Sequence, residues 1–167
     1  KKLETEFRKF KRIIAIGDIH GDFDVFIKTL LLGGVIDENN NWIAHDTIVV
    51  QLGDQVDSFR AEMYAKKKEL GRFSFLKINN LIKKLDKQAQ KKKSRLISIL
   101  GNHEIMNLVG DFRYTGSNQM LETTDDKTSS DVELKDDRKK FFKNNKDILI
   151  DFACNRNVVV KVGSWLF

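Results

Sequence analysis

Three short stretches of this 167-residue sequence carry residue types that bind metals and move protons. "GDIHGD" holds Asp18, His20 and Asp22, "GDQVDS" holds Asp54 and Asp57, and "GNHE" holds Asn102, His103 and Glu104. Carboxylate, imidazole and amide oxygen suit hard to borderline divalent or trivalent ions such as Mn, Fe or Zn, and cysteine-rich sets that favour softer ions are absent. Two ions held roughly 3.5 to 4 Å apart by a bridging carboxylate lower the pKa of a bridging water and clamp phosphoryl oxygens for in-line displacement. Asp54 is the natural bridge, Asp18 and His20 would complete one side, and Asn102 would begin the other. His103 can protonate a leaving alkoxide if a carboxylate such as Asp57 orients it.

Each stretch follows an apolar run, and that is what lets the three converge. "IIAI", "TIVVQL" and "RLISIL" read as short buried strands, each ending in Gly and then a ligand type. The sequence predicts strands at 13–16, 47–52, 95–100, 158–162 and 165–167. It predicts helices at 23–32, at 61–92 with a break near Gly71, and at 136–146. Strands alternating with helices indicate an α/β domain with a layered sheet, and ligands in such sheets collect at the carboxyl ends of strands. An Asp or Asn after one strand is usually a turn or cap residue; three such ends together make the metal-site argument. Asp22 and Asp24 are candidate caps for the helix that starts near Phe23, and Asp22 is also a candidate partner for a ligand. Glu104 fits a supporting role or a helix start better than metal ligation.

Composition bounds the alternatives. With 41% hydrophobic and 10% aromatic residues, the chain reads as one globular domain, 1–167, with a sizeable core. No run approaches the roughly 18 to 20 apolar residues of a membrane span, and "KKLETEFRKF" lacks the apolar centre of a signal peptide. The single Cys154 cannot form an internal disulfide, which fits a reducing, cytoplasmic setting, and it reads as structural. The net charge of +6 comes largely from "AKKKELGR" and "LIKKLDKQAQKKKSR". Phe73, Leu76, Ile78, Leu81, Ile82 and Leu85 fall on one side of that helical pattern, leaving the lysines on a solvated face. No aromatic residues interleave with them as a nucleic-acid platform would require. His45, in "NWIAHD", has no ligand partner at useful spacing and reads as a loop histidine, and the polar segment "TTDDKTSSD", 123–131, reads as a mobile loop.

The three motifs, in order and at similar spacing, resemble the GDxHG, GDxxDRG and GNHE motifs of calcineurin-like metallophosphoesterases, in the phosphoprotein phosphatase branch. The continuation "GNHEIMNLVGDFRYTG" is similar to that of the Shewanella-like protein phosphatases. The resemblance implies a dinuclear metal centre in a β-sandwich of two sheets flanked by helices, and phosphomonoester hydrolysis by a metal-bridging hydroxide. Carried over by position, Asp18 and His20 bind the first metal, Asp54 bridges, Asn102 binds the second, and His103 with Asp57 forms the proton-donating pair. The expected substrate is a phosphorylated protein, on Ser, Thr or Tyr, or a small phosphoester.

Two departures accompany the match. The family's phosphate-binding Arg after the second Asp of GDxxDRG is Ser58 here, so Arg60, with Arg113, is expected to reach the phosphate instead. The family also supplies two later histidines, the first in a VHGG-like motif. This chain has only His20, His45 and His103, and "VVVKVGSWLF" resembles the strand pair leading into that motif. The expectation is therefore a domain lacking its C-terminal portion, with sheet edges short of partners. A nucleotide phosphoesterase, such as a dinucleoside tetraphosphate hydrolase, and a non-catalytic metal-binding remnant are the competing functions.

Overall fold

The structure, a computed structural model, describes residues 3–125 and 130–167. The chain runs β1 (Glu6–Phe7), β2 (Arg12–Ile16), α1 (Phe23–Leu32), β3 (Thr47–Gln51), α2 (Phe59–Tyr64), a 3-10 turn (Lys67–Arg72), α3 (Phe75–Gln90) and β4 (Arg95–Ser98). There follow α4 (Asn102–Val109), α5 (Ser117–Leu121), α6 (Asp131–Asn144), α7 (Lys146–Cys154), β5 (Lys161–Val162) and β6 (Trp165–Leu166). β2, β3 and β4 form a parallel sheet with β3 in the centre. Parallel neighbours need crossovers, which α1 supplies between β2 and β3, and α2 with α3 between β3 and β4.

β3 is buried along its whole length, so it reads as a continuous apolar run and its two faces serve different cores. Val49 packs with Phe26 and Leu30 of α1 and with Ile78 and Leu85 of α3. Ile48 and Val50 face the other way, toward Phe7, Phe10, Val160 and Val162. Those last residues belong to or flank a second sheet of order β1-β5-β6, with β1 parallel to β5 and a β5-β6 hairpin. Helix, sheet and second sheet are thus stacked as the layered α/β architecture requires. A third core, centred on Val56, Phe75, Phe112, Phe142 and Phe152, holds α4 to α7 against the site.

Local chemistry explains where the elements stop. Asp22 caps α1 by accepting the Val25 N–H at 3.1 Å. The lysine-rich helix expected over 61–92 is divided because its middle is tied to the first motif. Phe73 bridges to Asp22, the Ser74 N–H donates to the Gly21 carbonyl at 2.7 Å, and Ser74 Oγ restarts the helix by accepting the Lys77 N–H at 3.2 Å. The helix expected over 136–146 begins earlier, at Asp131, and ends at Asn144. Asn145 then caps α7, which sequence periodicity left unassigned, by accepting the Ile148 N–H. The strand expected at 158–162 shortens to Lys161–Val162, with Val158 and Val159 exposed. Cys154 closes α7 as an exposed thiol, not a core residue. Of the loop expected at 123–131, residues 126–129 lie outside the described residues. No helix among the described residues is long and apolar enough to cross a membrane.

Candidate metal centre

The carboxyl ends of β2, β3 and β4 deliver the three motifs to one place. Two glycines make that approach possible: Gly53 has φ +91°, and a Cβ there would collide with the Gly101 backbone. A Cβ on Gly101 would in turn collide with the Asp54 carboxylate. The Asp54 carbonyl accepts the N–H groups of Ile19 and His20 at 3.1 and 2.9 Å, joining the first loop to the second. The fully buried Glu104 joins the second to the third: Oε2 accepts the Asp54 and Gly101 N–H groups, both at 2.8 Å, and Oε1 accepts that of Gln55 at 2.7 Å. Behind them, Arg156 is nearly buried and donates to Gln55, Asn79, Ser98 and Asp151, which ties the ends of β3 and β4 to α3 and α7.

Potential ligand atoms of His20, Asp54 and His103 lie within 4.8 Å of one another. His20, Asp54 and Asp57 have φ of 47°, 52° and 69°, a left-handed backbone that Asp, Asn and His tolerate better than most residues and that recurs at functional sites. Asp54 is buried, and its Oδ1 accepts the His103 N–H at 2.9 Å. His20 sets its Nδ1 3.2 Å from the Val56 carbonyl, so its Nε2 is the free nitrogen, 3.7 Å from Asp18 Oδ2. Asp18 is exposed at the mouth, and Asn102 is exposed on the first turn of α4. This donor set, oxygen and imidazole nitrogen on tightly fixed backbone, suits a divalent metal ion.

Asp57 and His103 are in contact, with Oδ2 2.9 Å from Nδ1. The carboxylate is buried and heavily supported. Asn107 Nδ2 donates to both oxygens at 3.0 and 2.9 Å, and Thr115 Oγ1 donates to Oδ1 at 2.6 Å. The Asp57 N–H donates to Gln119 Oε1 at 2.8 Å. The His103 ring lies edge-on to His20, centroids 4.9 Å apart, and 5.3 Å from Tyr114. Asn107 sits one helical turn after His103, in the quoted "GNHEIMN", and that i to i+4 spacing was the available signal for it. Thr115 and Gln119 had no signal of this kind.

The two arginines separate. Arg60 is exposed on α2 with its guanidinium carbon 5.9 Å from the Tyr114 ring centroid. Arg113 is also exposed, but its guanidinium is bound by Asp111 at 3.0 and 2.8 Å. That pairing holds the Asp111 carboxyl below, and the Arg113 guanidinium above, their ordinary ranges. Ser58 is buried and bonds Glu62, so no side chain at that position reaches outward. His45 is an exposed loop residue, apart from the cluster.

Residues 11–159 match the calcineurin-like phosphoesterase family model, and the chain belongs to that family. Shewanella-like protein phosphatase 2 of Arabidopsis thaliana is 38% identical over 112 residues, which are 67% of this chain and 25% of that protein. Shewanella-like protein phosphatase 1 of Plasmodium berghei is 40% identical over 109 residues, 65% of this chain and 26% of that protein. The chain therefore spans about a quarter of the curated relatives it matches. The crystal structure of a cold-active protein-tyrosine phosphatase of a psychrophilic Shewanella species shares the fold, with TM-score 0.67 at 21% identity, covering 99% of this chain and 44% of that one.

Proposed function

We propose that this chain forms the metal-binding and proton-donating part of a phosphomonoesterase acting on phosphoserine, phosphothreonine or phosphotyrosine in proteins. The observation that carries the reading is the meeting of three strand ends, which sets the Asp57–His103 pair beside Asp54 and His20. Asp18, His20 and Asp54 would hold one ion, and Asp54 with Asn102 would contribute to a second; bound there, such ions activate water and neutralise phosphoryl charge. Asp57 holds the imidazole with Nδ1 toward itself, and Nε2 of the protonated ring gives its proton to the departing ester oxygen. A protein substrate is favoured by the relatives, two of which are named Shewanella-like protein phosphatases.

The test is Mn²⁺-dependent hydrolysis by the protein that carries this chain, on phosphoserine and phosphotyrosine peptides and on a dinucleoside tetraphosphate. Asp54→Asn keeps the left-handed backbone and an oxygen for the His103 N–H, but removes the charge that binds metal. It is expected to lower peptide hydrolysis about a hundredfold or more, and Mn²⁺ affinity of the chain by calorimetry about tenfold or more. Preferential hydrolysis of the dinucleotide would transfer the reading to the nucleotide class. No turnover of any of the three would leave a metal-binding remnant.

A further inference from the structure

Arg138, in the middle of α6, exposes none of its surface. Its guanidinium carbon lies 5.1, 5.7 and 5.2 Å from the ring centroids of Phe75, Phe112 and Phe142. A cation in such surroundings costs several kcal/mol unless hydrogen bonds and opposite charge offset it. Burial indeed pushes this guanidinium down to about 10, against the opposing pull of Asp57 and Glu122. Aliphatic filling would suit three phenylalanines better, so the hydrogen bonds must explain the charge.

Those bonds lead to the back of Asp57. Arg138 Nε donates to Asn107 Oδ1 at 2.9 Å, and one terminal nitrogen donates to the Gln119 carbonyl at 2.7 Å. Asn107 and Gln119 both grip Asp57, through its carboxylate and its N–H respectively. A guanidinium can only donate, so it forces Oδ1 of Asn107 toward itself and Nδ2 toward Asp57. An ionised carboxylate can only accept, so Asp57 must receive a proton from His103 Nδ1. Nδ2 of Asn107 also donates to the His103 carbonyl at 3.0 Å, so without Arg138 the amide keeps its acceptors but loses the donor on Oδ1 that fixes it against Asp57.

We propose that Arg138 is a positioning residue: by donating to Asn107 Oδ1 it fixes the amide that grips the Asp57 carboxylate, and so steadies the Asp57–His103 pair, with Nδ1–H on Asp57 and Nε2 toward the site. The structural part stands alone; its kinetic consequence rests on the function proposed above.

The direct test is the tautomeric state of His103 in ¹⁵N-histidine spectra of this chain, which has three histidines; the His103 signals are those missing from His103→Gln. The wild-type chain is expected to show the Nδ1–H form with a proton shifted far downfield by Asp57. Arg138→Met, an unbranched apolar fit for the phenylalanine cage, is expected to give a mixture of tautomers and to lose that resonance, while Arg138→Lys, which keeps a donor, retains part of it. An unchanged His103 in folded Arg138→Met overturns the proposal. If that variant does not fold by near-UV circular dichroism, Asn107→Ala is read instead, and an unchanged His103 there overturns it equally. In the protein that carries the chain, Arg138→Met is expected to lower kcat for phenyl phosphate about tenfold more than for p-nitrophenyl phosphate, because phenol is the poorer leaving group and depends more on an oriented acid. Equal losses would mean a merely structural residue and overturn the proposal. Should the wild-type protein hydrolyse neither ester, the proposed function fails while the tautomer measurement still decides this inference.

Discussion

Asp57 Oδ2 lies 2.9 Å from His103 Nδ1, although 46 residues separate them in the chain. One comes from the turn after β3 and the other from the first turn of α4, so their contact requires the parallel register of β3 and β4 and the glycine pair, Gly53 and Gly101, that lets the two turns touch. The pair is therefore a product of the sheet and not of local sequence.

Asp57→Asn should be costly because every neighbour of that carboxylate is a donor. His103 Nδ1, Asn107 Nδ2 and Thr115 Oγ1 all point at its oxygens, and an amide would set its own N–H₂ against at least one of them. It would also remove negative charge that offsets the buried Arg138. A stability loss of about 3 kcal/mol is expected in urea unfolding; a loss under about 1 kcal/mol would show that the donors find water instead.

Gly53→Ala tests the close approach of the turns. The new Cβ would meet the Gly101 backbone, which cannot rotate away as a side chain can, and alanine would be strained at φ +91°. Strain and overpacking together suggest about 2 to 5 kcal/mol of destabilisation. Mn²⁺ affinity, read by calorimetry at a temperature where the variant is folded, should fall as well, since Asp54 is the next residue. Unaltered affinity would mean that the Asp54 geometry does not depend on this contact.

How much of this was readable in sequence follows from which interactions are local. The three motif strands, α1 and its Asp22 cap were legible because apolar runs, glycines and a capping residue announce them within a few positions. The extent of α6 and α7 was not, since "LKDDRKKFF" is so rich in charge that its buried face hardly stands out. Of the residues singled out in sequence, the structure brings His20 and Asp54, expected as ligands, together with His103, expected as the proton donor, while Asp18 and Asn102 are exposed. Arg138 lay beyond reach: it is 31 residues from Asn107, among lysines that are solvated, and only tertiary packing distinguishes it.

Glu122 gives the chain a predictable pH response. Burial raises its carboxyl pKa, with Ser74 and Arg138 opposing that shift, and Oε2 has no hydrogen-bond partner among the described residues. A raised acid pKa means that the native state holds a proton which the unfolded chain has already released. Stability contributed by this group is therefore present below the unfolded value near 4.5 and falls as pH rises toward the folded value. Glu122→Gln, a mimic of the neutral form, should raise the melting temperature at pH 7 and have little effect at pH 4. A lower melting temperature at pH 7 would show that the charge on Glu122 is needed beside Arg138.

Under the function proposed above, the candidates for a phosphate clamp are Arg60 and Arg113. Both are exposed, yet Arg113 already spends its fork on Asp111, and pulling it away would cost two charge-assisted contacts. Arg60 has no ion pair among the described residues and stands over Tyr114, whose ring packs against His103. A guanidinium there can reach a phosphoryl group presented to His103 from the α2 side, with Ser58 turned inward and unable to do so. Losing one charge-assisted hydrogen bond is worth about 1.5 to 3 kcal/mol, so Arg60→Ala should weaken inhibition by phosphate or vanadate at least about tenfold in the protein that carries this chain. Arg113→Ala should weaken it several times less. The reverse order would mean that Asp111 releases Arg113 when phosphate arrives, and that the clamp is assembled from the turn after α4 instead of from α2.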